Sequence, residues 1–221
     1  MTVRGRLVWT AIFGAAFGWV EAAVVVYLRR IVYPDGFALP LAPIDPSLAV
    51  VELVREAATL AMLAAVAMLA GRTRWQRFAA FIVAFGVWDL VYYLGLKLAL
   101  DWPASLATWD VLFLLPWPWL GPVYAPATVA LLMVIFGSLV MLEEEVRPRR
   151  ADVLAWLLGA AGALVLLVTW LYDLDAGLRQ AEPAPYPWPW FVVGCALLVG
   201  CGVRFLTRRP VNPEPPPARS R

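Results

Sequence analysis

Residues 85–126 read FGVWDLVYYLGLKLALDWPASLATWDVLFLLPWPWLGPVYAP, and the rest of the chain is predicted to be arranged around this stretch. Its first part is a long apolar helix with four polar or charged side chains, Asp89, Tyr92, Tyr93 and Lys97. Prolines break it at residues 102–103 and again at 116–118, which leaves a short apolar run containing Trp109 and Asp110. This concentration of charge, aromatic surface and chain reversal predicts the lining of a site within a membrane.

The composition indicates a polytopic membrane protein. Of the 221 residues, 62% are hydrophobic and only 15% are charged, well below the roughly 25% charged residues of soluble domains. Apolar runs long enough to cross a bilayer recur along the chain, so the lipid bilayer is its first predicted partner. The formal net charge of +2 is too small to suggest nucleic acid as a partner.

Hydropathy and helix signals predict an all-α integral membrane fold with six transmembrane helices in one domain, residues 1–206. The predicted spans are residues 7–27, 47–70, 78–100, 123–142, 153–172 and 190–206. Residues 103–120 are too short and broken to cross a hydrocarbon layer of about 30 Å, so they are predicted to form a re-entrant or interfacial helix. The proline- and arginine-rich residues 207–221 are predicted to be a disordered tail.

The distribution of basic residues predicts the orientation of the six spans. Of the 18 lysines and arginines, 13 fall on the side of the two termini and 5 fall on the opposite side or in its half of the spans. The positive-inside rule therefore places both termini in the cytoplasm, with the protein in the inner (plasma) membrane.

Ionisable residues gather in the first three spans and in the segment that follows them. The candidate ligand- or ion-binding residues are Glu21, Glu52, Arg55, Glu56, Asp89, Tyr92, Tyr93, Lys97, Trp109 and Asp110. Spans four and five carry no charge within residues 123–142 and 153–172, so they are predicted to serve mainly in packing. Because a charge near the bilayer centre costs about 2.5 to 3.5 kcal/mol on insertion scales, the cluster must be paired, protonated or hydrated.

Carboxylates outnumber the cations available to them in this cluster, since only Arg55 and Lys97 oppose four acidic residues of the spans. Protonation, a cationic ligand held against aromatic faces, or a hard divalent cation would each settle the excess. The metal ligands would then be Glu56, Asp89 and Glu21. Histidine is absent, so no haem or histidine-ligated metal is expected. A structural role is the alternative, with Glu21 paired to Arg55, and Asp89 tied to Lys97 or a tyrosine.

Three sequence blocks resemble an uncharacterised family of bacterial multi-pass membrane proteins. They are REAATLAML, WDLVYYLGLK and DWPASLATWDVLFLLPWPWLGPVYAP, and the resemblance extends over about the first 135 residues. It implies that residues 52–56 and 88–126 belong together, and it implies no activity, because none is assigned to that family. In size and predicted topology the chain is also similar to the substrate-binding membrane subunits of vitamin importers, which need a separate energising module.

Three functions follow from these residues. The first is binding or transport of a small molecule or cation at an outward-facing acidic and aromatic site. The second is an outer-leaflet lipid- or isoprenoid-modifying enzyme, which would have to use carboxylates because the sequence has no nucleophile or nucleotide-binding motif. The third is a membrane-complex assembly or scaffold subunit whose charges link helices. A lipid ligand, a homo-oligomer and a protein partner all stay open.

Overall fold

The computed structural model describes residues 1–34, 36–37, 45–114, 117–143, 153–173 and 183–207. Six helices in this described part are long and apolar enough to cross a membrane. They are α1 (Val3–Val32), α2 (Pro46–Ala70), α3 (Arg74–Leu100), α4 (Tyr124–Leu142), α5 (Val153–Leu171) and α6 (Trp188–Thr207). The predicted multi-pass helical class is thereby confirmed, while the orientation of the termini stays a prediction. The predicted tail lies outside the described residues from position 208 onward.

Local capping chemistry explains where the first three helices begin. The Thr2 hydroxyl accepts a hydrogen bond from the backbone N–H of Gly5, and the Thr73 hydroxyl accepts one from Gln76. Asp45 caps α2 through the N–H of Ser47, with Pro46 in the first turn. These side chains satisfy N–H groups that have no partner within the helix.

α1 is longer than its predicted span of residues 7–27. It continues through Arg29 and ends at Val32, and the N–H of Tyr33 still bonds the Arg29 carbonyl at 2.7 Å. Arg29 lies two residues beyond the predicted span. The structure buries it on the helix, where tertiary partners compensate its charge.

α3 packs closely against α1 on one side and α4 on the other through glycines. A Cβ added to Gly18 of α1 would collide with the backbone carbonyl of Trp88, and one added to Gly14 would lie 2.7 Å from the Ala84 carbonyl oxygen. On the opposite side, a Cβ on Gly86 would come within 2.5 Å of the Ala130 carbonyl oxygen. Gly14 and Gly18 form a GxxxG pair, a pattern typical of closely packed membrane helices, and these contacts fix the segment of α3 around residue 89.

Residues 109–122 contain a β-hairpin. Strand β1 (Trp109–Phe113) pairs antiparallel with β2 (Trp119–Pro122), and Asp110 lies opposite Gly121. The prediction of a short helix within residues 103–120 is therefore wrong for residues 109–113 and 119–122, which form strands. Prolines on both sides of a five-residue apolar and aromatic run prevent helix propagation, whereas such a run fits a strand. Whether the segment enters the bilayer stays a prediction.

Different contacts hold the helices together at the two ends of the bundle. At the end that carries residue 3, buried Arg6 donates to the Ala70 carbonyl at 3.2 Å and to Gln76 Oε1 at 3.1 Å, which joins α1, α2 and α3. At the other end, β2 packs against α4 and α5, while Asp110 of β1 pairs with Arg29 of α1. We call this second end the hairpin end.

Candidate functional site

Arg55 of α2 is placed between two buried carboxylates. Its Nη1 forms an ion pair with Glu21 of α1, and its Nε donates to Glu52 Oε2 at 2.8 Å. The Thr59 hydroxyl donates to the second oxygen of Glu21 at 3.2 Å. The Glu21–Arg55 pair that the sequence allowed as a link between helices is thus present, and it joins α1 to α2.

A second ion pair joins α1 to the hairpin. Arg29 Nη2 lies 2.8 Å from Asp110 Oδ1, and both side chains are buried. The guanidinium also contacts two aromatic rings, with its Cζ 4.2 Å from the Phe37 ring centroid and 3.7 Å from that of Trp102. Cation–π contact of this kind helps to compensate a buried arginine for lost hydration.

Arg29 belongs to the cluster but is not among the candidate residues predicted from the sequence. A signal for it was present, because Arg29 follows Gly18 by eleven residues and Ala22 by seven. These spacings place all three on one face of α1, the face that packs on α3. Its partner Asp110 is 81 positions away in sequence, so only the fold reveals the pair.

Burial and hydrogen-bonding or charged partners shift the pKa of Asp110 in opposite directions. Burial raises the pKa of Asp110 to about 6, and the Arg29 guanidinium, the Val111 N–H and the Tyr93 hydroxyl favour the ionised form and limit the rise. The Arg29 guanidinium is the strongest of the three influences that lower the pKa of Asp110.

Glu56 holds the end of β1 against α2. Both of its carboxylate oxygens lie 3.0 Å from the backbone N of Leu114, the residue that follows β1. The Glu56 side chain is buried. The N–H of Leu114 leaves the strand ladder at the end of β1, so this contact satisfies a group that would otherwise lack a partner.

Asp89 and Asp110 each have one buried oxygen without a hydrogen-bond partner, but Asp110 is paired with Arg29, whereas Asp89 forms no ion pair with a described residue. The Asp89 Oδ2 atom is buried and accepts no hydrogen bond within the described part of the chain. Rings follow one another along α3 past this residue, in contacts that run through Phe85, Trp88, Tyr92, Tyr93 and Trp102. Tyr92 lies within electrostatic reach of Arg29, Arg55, Asp89 and Asp110, so the two ion-pair groups and Asp89 form one cluster.

Two of the predicted site residues lie outside this cluster. Lys97 is half-exposed, and its Nζ lies 2.6 Å from Asp101 Oδ1 and 3.2 Å from the Pro103 carbonyl oxygen. It therefore closes the end of α3, and the predicted tie to Asp89 is not formed. Trp109 contacts Tyr186 with ring centroids 5.9 Å apart, although its neighbour Asp110 reaches Arg29. Successive residues of a strand point to opposite faces, which explains this separation.

The cluster contains more negative than positive charge. Five carboxylates, those of Glu21, Glu52, Glu56, Asp89 and Asp110, share two guanidinium groups, Arg29 and Arg55. Among the described residues, no group of three or more His, Cys, Asp or Glu side chains is arranged to hold a metal ion. The predicted metal ligands Glu21, Glu56 and Asp89 therefore do not form such a group in the described part of the chain.

The fold and the site together define a polytopic α-helical membrane protein with a buried, net-negative polar cluster between three helices and a hairpin. Comparison of the chain with protein-family models, curated proteins and solved structures gives no match.

Proposed function

We propose that this protein binds and transports a small cationic molecule, with Asp89 as the counter-ion. The observation that carries the proposal is the buried Oδ2 atom of Asp89, which has no hydrogen-bond partner among the described residues. An unsatisfied buried polar group costs about 1–3 kcal/mol, and an ionised group costs more. The cluster is therefore incomplete until a proton or a cation meets this carboxylate.

The neighbouring arginines pair with other carboxylates and form no ion pair with Asp89. Arg55 pairs with two glutamates, and Arg29 pairs with Asp110 while it contacts two rings. The rings of Trp88 and Tyr92 stack with centroids 6.3 Å apart beside Asp89 in the chain. A carboxylate combined with aromatic faces favours an ammonium or related organic cation.

A proton would compete with such a cation for the Asp89 carboxylate. Protonated Asp89 no longer requires a counter-ion, so binding of a cation is expected to release a proton. The sequence contains no P-loop or other ATPase motif. Transport would accordingly draw on an ion gradient or on a separate energising partner. Under the predicted orientation, the hairpin end faces the exterior and Asp89 lies near the middle of the third span.

The test is native mass spectrometry, with small-molecule extraction, of the protein purified from its own membrane. Wild type is compared with Asp89→Asn and with Asp101→Asn, a control in which the aspartate side chain is 92% exposed and outside the cluster. A cationic species is expected in wild type and in Asp101→Asn, and is expected to be missing from Asp89→Asn. Its absence from wild type, or its retention in Asp89→Asn, contradicts the proposal.

The scaffold function is the second candidate, because the Glu21–Arg55 and Arg29–Asp110 pairs join separate elements. It predicts a co-purifying protein partner and no small molecule in any of the three samples. An enzyme would instead keep its ligand in Asp89→Asn and lose turnover. The same comparison therefore separates all three functions.

A further inference from the structure

A cavity lies on the other side of β1 from the Arg29–Asp110 pair. It is a cleft of about 330 Å³ between the loop before β1, the start of α4 and the segment that leads into α6. Its lining residues are Ala107, Trp109, Pro122, Tyr124, Pro183, Ala184, Pro185, Tyr186 and Trp188. The volume lies at the lower end of the roughly 300–1,000 Å³ range of small-ligand sites. We call it the aromatic cleft.

Four aromatic rings line the aromatic cleft and hold one another in place. The Tyr124 and Trp188 rings stack with centroids 4.1 Å apart, and Tyr186 meets Trp188 at 4.8 Å and Trp109 at 5.9 Å in edge-to-face contacts. The Tyr186 hydroxyl lies 3.1 Å from the hydroxyl of Thr169. Mutual packing and this hydrogen bond fix the rings before any ligand arrives, which lowers the entropic cost of binding.

The aromatic lining of the cleft favours a cation. None of the lining residues is charged, and the lining residue Ala184 donates its N–H to the Asp173 carboxylate at 2.5 Å. Aromatic faces carry negative potential. A cation that needs no hydrogen bonds therefore matches the lining.

Two helices start at the aromatic cleft, and helix N-termini normally attract anions. Here the N–H groups that would bind an anion are already used. The N–H of Tyr124 bonds the Leu106 carbonyl at 2.9 Å, and that of Trp188 bonds the Tyr186 carbonyl at 2.9 Å. The Phe191 N–H bonds the Pro187 carbonyl at 3.2 Å. These N–H groups are therefore not free to bind an anion, and the aromatic rings determine which ligand the cleft favours.

We propose that the aromatic cleft is a binding site for an alkylated ammonium group, such as a quaternary ammonium. Such a group is compact, carries a diffuse positive charge, donates few or no hydrogen bonds and binds to the faces of Trp and Tyr. The cleft shares no residue with the Asp89 cluster, so this site does not depend on the proposed transport function. The ammonium group comes either from a free small molecule or from a lipid headgroup.

The test compares choline with 3,3-dimethylbutan-1-ol, which has nearly the same shape and no charge. Each probe is titrated calorimetrically into the full-length protein in nanodiscs of phosphatidylglycerol. Choline is expected to bind roughly tenfold or more tightly than its neutral analogue. Trp188→Leu and Trp109→Leu are each expected to weaken choline binding roughly tenfold, whereas Trp188→Phe, which keeps a ring, retains most of it.

Two control variants keep the outcome interpretable. Trp117→Leu changes a tryptophan that is 53% exposed and does not line the aromatic cleft, and it should bind choline like wild type. Asp89→Asn should also keep this binding. In nanodiscs of phosphatidylcholine, competition with added choline identifies a lipid headgroup as the occupant, and undiminished choline binding identifies a free small molecule.

Three results overturn the proposal. Equal binding of the neutral analogue makes the aromatic cleft a merely apolar cavity, and absence of choline binding removes the site. Choline binding that Asp89→Asn abolishes and Trp188→Leu leaves unchanged belongs to the Asp89 cluster instead. That third result would leave the proposed transport function standing, so the two proposals fail in distinguishable ways.

Discussion

Arg29 Nη2 lies 2.8 Å from Asp110 Oδ1, and this ion pair ties the last turn of α1 to the first strand of the hairpin. Phe37 and Trp102 contact the guanidinium, so the pair is buried among aromatic rings at the hairpin end. The Arg29–Asp110 pair therefore forms the part of the cluster that lies at the hairpin end. Replacing Arg29 and Asp110 should reveal whether the pair stabilises the fold.

Removal of the Arg29 charge should destabilise the protein strongly. Arg29→Met leaves Asp110 as an uncompensated buried carboxylate, and breaking a buried ion pair in this way costs about 3–5 kcal/mol. The double variant Arg29→Met/Asp110→Leu removes both charges and should recover most of that loss. Chemical unfolding in detergent, analysed as a double-mutant cycle, measures both values. An Arg29→Met protein as stable as wild type would show that the pair is energetically irrelevant.

The pH dependence of stability should report Asp110. Because burial raises its folded pKa to about 6, the folded state binds more protons than the unfolded state between about pH 4 and 6. The contribution of Asp110 to the free energy of unfolding is thus full below about pH 4 and is lost as pH rises to about 6. The loss is on the order of 3 kcal/mol. Unfolding of wild type and Asp110→Asn at pH 4 to 7 should give diverging curves, and parallel curves would refute this assignment.

The six helices were predictable because each one depends on a local pattern. Runs of about 20 apolar residues and caps such as Asp45 with Pro46 are visible in the sequence, and the helices agree with the predicted spans within a few residues. The GxxxG pair of Gly14 and Gly18 in α1 is also a local pattern, and it is typical of close helix packing.

The hairpin and the pairing of charges were less predictable. In a short apolar run between prolines, hydrophobic periodicity does not distinguish a strand from an interrupted helix. β1 can therefore be recognised as a strand only from its pairing with β2. Arg29 reaches Asp110 across 81 residues, and no local rule provides that contact. Lys97 is different, since Asp101 lies four residues after it and this spacing was a visible sign of a surface pair.

Glycine substitutions should test the packing of α1 on α3. Gly18→Ala places a Cβ against the Trp88 carbonyl, so α1 must shift, at an expected cost of about 1–3 kcal/mol. In Gly200→Ala the new Cβ meets only Leu158 Cδ1 at 3.8 Å, and this matched control should be near neutral. Thermal unfolding of both variants in the same detergent gives the comparison. Similar stability of the two variants would mean that this contact is not close in the native protein.

The anchoring of the hairpin by Glu56 should appear in hydrogen exchange. Glu56→Ala removes the carboxylate that accepts from the N–H of Leu114, and loss of a buried partner costs about 1–3 kcal/mol. Glu56→Gln retains an acceptor oxygen and should have a smaller effect. Amide exchange of Leu114 is expected to be fast in the alanine variant, intermediate in the glutamine variant and slow in wild type. Unchanged protection in Glu56→Ala would separate Glu56 from the hairpin.

Asp89 should show the opposite signature from the paired carboxylates. Asp89→Asn removes a buried negative charge that no described residue compensates, so the free energy of unfolding should rise by about 0.5–2 kcal/mol while cation binding is lost. Glu21→Gln instead deprives Arg55 of a partner and should lower stability. Unfolding measurements on both variants, together with ligand extraction, distinguish a residue kept for binding from one kept for structure. A loss of stability in Asp89→Asn comparable to that in Glu21→Gln would place Asp89 among the structural residues and remove the basis for a cation site.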